Sequence, residues 1–322
     1  MRAILTVILV ALGATLAPAV AQPAVQVPRV GFLYPGSRQL TPIFDAFRQD
    51  LASLGYVEGQ SIIIEPRFAE GQYERLPEIA AELARLKVSV IAMQGAVTVR
   101  AAEKVVTGTP IVFVIVVDPV AQDVVSNLER PGGNVTGVTT FDPQQPRKQL
   151  ELLKEVIPGL KRVALLGDQG IREDAMKAKE EQAHALGLQS QSVRVAGPTP
   201  DLEGAFAVFR REHAEALVVL EEPVPMNHRK RIAEMAAKDR LPTLFPPSGA
   251  DAGGLIAYGT SLAEGYRHMT AYIDKVLKGA NPGELPVEKV NCYELIVNLK
   301  TARDIGVTIP PEVLKRADRV IP

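Results

Sequence analysis

Apolar residues in this chain fall into short unbroken runs, separated by stretches in which they recur every three or four positions. The runs at 29–34, 61–64, 88–93, 111–117 and 134–140 are apolar on both faces rather than alternating. That pattern belongs to strands of a parallel sheet covered by helices on both sides. Between them, Phe44, Phe47, Leu51 and Leu54 recur at helical spacing, as do Leu76, Ile79, Leu83 and Leu86, and residues 96–106 fit a third helix. Thr41 and Pro42 suit the start of the first helix and Gly55 its end. The pattern then restarts. Strands are predicted at 162–166, 188–195, 216–220, 242–245 and 255–258, with helices at 149–157, 173–186, 201–209, 227–238 and 261–277. Asp201 and Asn227 are placed to cap two of these helices. One or two strands at 287–297 and a short helix at 299–304 finish the chain. Strand–helix alternation predicts an α/β fold. Two such blocks predict two Rossmann-like lobes with parallel sheets, each near the ~100–200 residues of an ordinary domain.

A different pattern precedes the first strand. Arg2, an uncharged apolar stretch at 4–16 and the small-x-small triplet Ala19-Val20-Ala21 read as a secretion signal at 1–21, cleaved before Gln22. The apolar stretch is shorter than the ~20 residues a membrane-spanning helix needs. With no cysteine near position 22 to carry a lipid, the mature chain is expected to be soluble and periplasmic. Charge narrows the partners. The 36 basic and 37 acidic side chains are intermixed and leave a net charge of −1, so no basic stripe exists to track nucleic-acid phosphates. The single cysteine, Cys292, cannot make an intrachain disulfide, and its apolar-alternating surroundings predict a buried packing residue. His184, His213, His228 and His268 fall on or near helices without a second ligand at metal spacing, and no phosphate loop or nucleophile elbow is present. Neither a metal, a cofactor nor a catalytic residue is expected.

In parallel sheets ligands bind beyond the carboxyl ends of the strands. The candidate ligand contacts are therefore Tyr34, Gly36 and Ser37, Gln94 and Gly95, Asp118 and Pro119, and Phe141 from the first block, with Asp168, Gln169, Glu222, Phe245 and Tyr258 from the second. Asp118, Asp168 and Glu222 suit an ammonium group, although Asp118-Pro119 equally suits a helix start and Glu222 a solvated loop acid. Ser37 and Gln94 suit a carboxylate or amide, or simple turn chemistry. The four aromatic side chains serve either as walls of a site or as core.

Many segments, in order, resemble the substrate-binding proteins of ABC transporters with the type I periplasmic fold. They are VGFL at 30–33, LGYVEGQ at 54–60, AEGQYERLP at 69–77, PIVF at 110–113, DPV at 118–120, RPGGNVTG at 130–137, YGTSL at 258–262, ELIVNLKTA at 294–302, IPP at 309–311 and RAD at 316–318. The resemblance implies two lobes joined by a three-segment hinge, with crossings near 141–146, 258–261 and 288–291. Lobe 1 would hold 28–142 and 259–288, and lobe 2 would hold 146–257 and 291–322. It further implies a monomer that captures a small polar solute, an amino acid or similar, for an inner-membrane ABC permease. Two loops depart from the group's pattern. Gly167-Asp168-Gln169-Gly170 stands where many members carry Asn-Pro and a further Asn, and Val224-Pro225 where many carry aromatics. Both loops face the expected site, so the departures bear on ligand class, the better-known ligands of the group being amino acids, aromatic ones among them. An exported ligand sensor on the same fold is the alternative, discriminated by neighbouring genes. An α/β enzyme is weaker: a cofactor-independent racemase of this shape needs two facing cysteines, and no nucleophile–base pair can be assembled. A repressor-type regulator would need an N-terminal helix-turn-helix where the secretion signal stands.

Overall fold

The continuous apolar runs become strands. The computed structural model describes residues 27–38 and 43–322. The leader at 1–21, its cleavage before Gln22 and the helix start at Thr41-Pro42 lie outside the described residues. Among the described residues the strands are, in chain order, β1 (Arg29–Tyr34), β2 (Ile63–Phe68), β3 (Val90–Gln94), β4 (Ile111–Val114), β5 (Val135–Thr139), β6 (Arg162–Asp168), β7 (Gln189–Val195), β8 (Ala216–Val219), β9 (Thr243–Phe245), β10 (Ile256–Thr260), β11 (Glu288–Lys289), β12 (Tyr293–Asn298) and β13 (Arg319–Ile321).

They form two sheets. The first, in the order β11-β5-β4-β3-β1-β2, is parallel throughout. The second runs β13-β12-β10-β9-β8-β6-β7 and is parallel except where β10 meets β12. The chain thus passes between sheets after β5, β10 and β11. The antiparallel pair follows from that connectivity. The chain leaves the second sheet from the carboxyl end of β10 and re-enters beside that same end to form β12, so β12 must run the other way.

Each sheet is covered on both faces, as unbroken apolar strands require. On the first sheet, Phe44, Phe47 and Leu51 of the helix Ile43–Ser53 share one face with Tyr266, Met269 and Ile273 of the helix Leu262–Leu277. Leu76, Ile79 and Leu83 of Leu76–Arg85 and Val99 of Ala96–Glu103 cover the other. On the second sheet, Leu150, Leu153 and Val156 of Gln145–Val156 and Met176 of Glu173–Ala185 pack opposite Phe206, Phe209 and Ile232 of Leu202–Arg211 and Arg229–Lys238.

Local differences from the expected pattern have local causes. β2 starts late and carries Pro66, tolerated because β2 is an edge strand. β4 ends at Val114 instead of 117, since Ile115 adopts φ +54°. The helix expected from 149 begins at Gln145, with Pro146 in its first turn. Asp201 does cap its helix, accepting the Gly204 N–H at 2.8 Å. Asn227 does not, because it ends the short helix Pro223–Asn227. The helix Pro311–Arg316 and β13 went unpredicted. Cys292, expected to be buried, is exposed in the last passage between the sheets.

Candidate functional site

Strand ends from the two sheets face each other across a cleft. At β3, Gly95 adopts φ +77°, a conformation that favours glycine, and turns the chain directly into the helix Ala96–Glu103. At β8, Glu221 and Glu222 follow the strand, and Pro223 opens the next helix. A cavity of about 140 Å³ lies between, walled by Gln94, Gly95 and Ile115 on one side and Lys179, Glu221 and Glu222 on the other. Thr140, Asp142, Gln145 and Thr260 close its hinge end. A second cavity of about 330 Å³ shares Gln94, Glu221, Glu222, Pro223 and Leu262, and adds Tyr34, Met226 and Tyr266 beside the polar Asn227, Arg229, Asp251 and Glu294.

Charge inside the cleft is compressed. Burial pushes the Glu222 carboxyl well above its ordinary range, and the nearby Asp168 carboxylate adds to this, while Lys179 and Arg100 work against it. Burial likewise pushes Glu221 up to about 7, partly offset by the Ser248 hydroxyl, which donates to its Oε1 at 2.5 Å. Lys179 is pushed down by burial, with Glu222 opposing. At the hinge, burial disfavours the Asp142 charge, yet the Gln144 N–H, the Tyr293 hydroxyl and Lys148 together hold its pKa below the usual value. Gln94 is fixed by the Tyr266 hydroxyl, which donates to its Oε1. Half-buried carboxylates short of fixed donors recruit a cation, so this arrangement suits an amine.

The sequence-derived residues divide. Gln94, Gly95 and Glu222 line the first cavity, and Tyr34, Gln94 and Glu222 the second. The remainder line neither cavity. Gly36 is a spacer, since a Cβ there would lie 2.6 Å from the Tyr34 ring and 2.9 Å from the Asn227 amide; Ser37 is half-buried beside it and lines neither cavity. Asp118 caps a turn, its Oδ1 accepting the Ala121 N–H at 3.0 Å, and Pro119 is buried in that turn. Phe141 stands one residue out of phase, and its neighbours Thr140 and Asp142 line the cavity instead. Asp168 is fully buried and saturated by three donors, the Tyr73 hydroxyl at 2.6 Å, the Gly170 N–H at 2.7 Å and the Val224 N–H at 3.0 Å. Gln169 points outward, exposed. Phe245 is core: strand alternation aims it into the helical layer, where Gly249 and Gly254 lie against its ring. Tyr258 stacks on Tyr293 at 6.2 Å between centroids, beside the hinge. Sequence reasoning missed Glu221, whose signal was the acidic pair at a strand end, and Lys179, Gln145 and Tyr266, which sit on helices and carry no local signal.

Among the described residues no helix is long and apolar enough to cross a membrane, and no group of three or more His, Cys, Asp or Glu is placed to hold a metal. A family model for ABC transporter substrate binding protein matches residues 37–321. A tyrosine-binding protein of Clostridioides difficile (strain R20291) is 26% identical over 268 residues, 80% of this chain and 74% of that protein. A conserved domain protein of Vibrio cholerae O1 biovar El Tor str. N16961 superposes with a TM-score of 0.84 at 24% identity, covering 92% of this chain and 100% of that one. An ABC domain from Streptococcus pneumonia in complex with L-Trp gives a TM-score of 0.81 at 23% identity, over 91% of this chain and 99% of the other. Both structures share the two-sheet fold of this chain.

Proposed function

The chain belongs to the ABC transporter substrate-binding protein family, and we propose that it is the periplasmic capture component of an importer. In this reading it is a monomer with lobes at 28–142 plus 259–288 and 146–257 plus 291–322. The lobes close around an amine-bearing solute, which is then released to an inner-membrane permease. The observation that carries the reading is the facing of Glu221 and Glu222, on the second sheet, with Gln94 and the start of the helix Ala96–Glu103, on the first, across one cavity. The carboxylates take the ammonium. The first N–H groups of that helix have no intrahelical acceptor and suit a carboxylate. Tyr34, Met226, Leu262 and Tyr266 supply an apolar wall. An α-amino acid with an apolar or aromatic side chain meets all three demands. The tyrosine-binding relative and the L-Trp complex support this class.

A ligand selects the closed form only through its higher affinity for that form. A thermal-shift panel of amino acids, amines and small carboxylates tests the reading. A true ligand at 100 times its dissociation constant adds about 2.7 kcal/mol of stability. Glu222→Gln should weaken an amino acid about 10–100-fold in calorimetry, the range for a charge-assisted hydrogen bond, while the ligand-free protein melts no earlier. Turnover of a panel compound, or no shift with any of them, would overturn the reading.

A further inference from the structure

We infer that Tyr73 and Asp168 form a latch between the lobes that sets how tightly the protein holds its solute without touching it. The inference rests on the two-lobe closure proposed above. Tyr73 opens the helical turn Tyr73–Arg75 that follows β2 of the first sheet, whereas Asp168 ends β6 of the second. The Tyr73 hydroxyl donates to Asp168 Oδ2 at 2.6 Å. Its ring packs both on the first-sheet cluster of Leu76, Ile79 and Leu83 and on the second-sheet cluster of Phe206 and Val224. Asp168 is meanwhile held in its own lobe by the Gly170 and Val224 N–H groups. The second lobe therefore presents a preformed acceptor, and the first lobe inserts a donor.

The backbone around this bond is built for close approach. A Cβ at Gly71 would lie 3.2 Å from the Gly197 carbonyl oxygen of the other lobe, and one at Gly170 would lie 3.1 Å from the Tyr73 ring. Neither Tyr73 nor Asp168 lines either cavity. Arg172 and Asp123 also bridge the gap at 3.1 Å, but Asp123 is 81% exposed, and solvated pairs of this kind contribute little. Opening the lobes separates the hydroxyl from the carboxylate and uncovers an aromatic face. Closure is thus favoured by residues remote from the solute, and Tyr73 acts as a positioning residue.

Tyr73→Phe keeps the ring and removes only the donor. The test labels cysteines introduced at the exposed positions Leu54 and Val320, one on each lobe, in a Cys292→Ser background. Inter-lobe distances are measured by electron–electron resonance across a titration with L-tyrosine and with L-tryptophan. Tyr73→Phe should lower the closed fraction and move the titration about tenfold to higher concentration, as expected for one charge-assisted hydrogen bond. Asp123→Asn should leave it in place. Distances in Tyr73→Phe that superimpose on those of the unsubstituted tyrosine at every concentration would overturn the latch. If neither amino acid moves the parent protein and Tyr73→Phe is still more open, the latch stands and the solute class proposed above falls.

Discussion

Two adjacent acids, Glu221 and Glu222, follow β8 and line both cavities. Glu221 is held by one hydroxyl, and burial raises its pKa to about 7 from 4.5. Between those values the folded chain holds a proton that the unfolded chain has lost. The stability linked to that proton is fully present below about 4.5 and is lost as pH rises through about 7. The unfolding free energy from urea titration should therefore fall between about pH 4.5 and about pH 7, by at most about 1.4 kcal/mol per pH unit for one group. Glu221→Gln should flatten that slope, and an unchanged profile would remove Glu221 as its source. At this scale the sequence was half legible. Glu222 announced itself as an acid between a strand and a proline. Lys179 did not, because one lysine among the mostly solvated positions of Glu173–Ala185 looks like any other until the fold sets it in the cavity wall near Glu222. Asp118 and Asp168 have the type and position of ligand acids, although Asp118-Pro119 equally suits a helix start. What decides their role is the number of backbone donors already spent on them, and that is not written in spacing.

Elements were the most legible level, since an apolar run or a 3.6-residue period is a local property. The errors cluster where a local signal has two readings. Residues 111–117 look like one β-branched strand, but the left-handed Ile115 breaks it and turns the chain into the cavity wall. Phe245 was an aromatic at a strand end, and parity along β9 sends it inward. Phe245→Ala should accordingly cost about 3–5 kcal/mol in urea unfolding, the usual loss for a buried phenylalanine. Solute affinity per folded molecule should stay as it was. A variant that unfolds normally and binds poorly would return Phe245 to the site.

The arrangement of the whole molecule was the least legible level. Periodicity tells which face of an element is apolar but not which sheet it joins, so the three passages came from family resemblance rather than from pattern. In the structure these passages are stitched together. The Val290 N–H donates to the Thr139 carbonyl at 3.0 Å, the Ser261 N–H to the Cys292 carbonyl at 2.8 Å, and the Thr260 hydroxyl to Gln145 Oε1 at 3.1 Å. In the closure proposed above, three tied segments favour bending, the hinge type of motion. Small-angle scattering should show a smaller radius of gyration with saturating L-tyrosine than without it, and no change would argue against bending on capture. The interleaved order of segments also has a consequence for biosynthesis. The helix Leu262–Leu277, which covers Val30, Phe32, Val112 and Val114 of the first sheet, is made only after β6–β10. A nascent chain of the first 142 residues therefore has one greasy flank covered only by the helix Ile43–Ser53, and that interior is finished only once synthesis has passed residue 277.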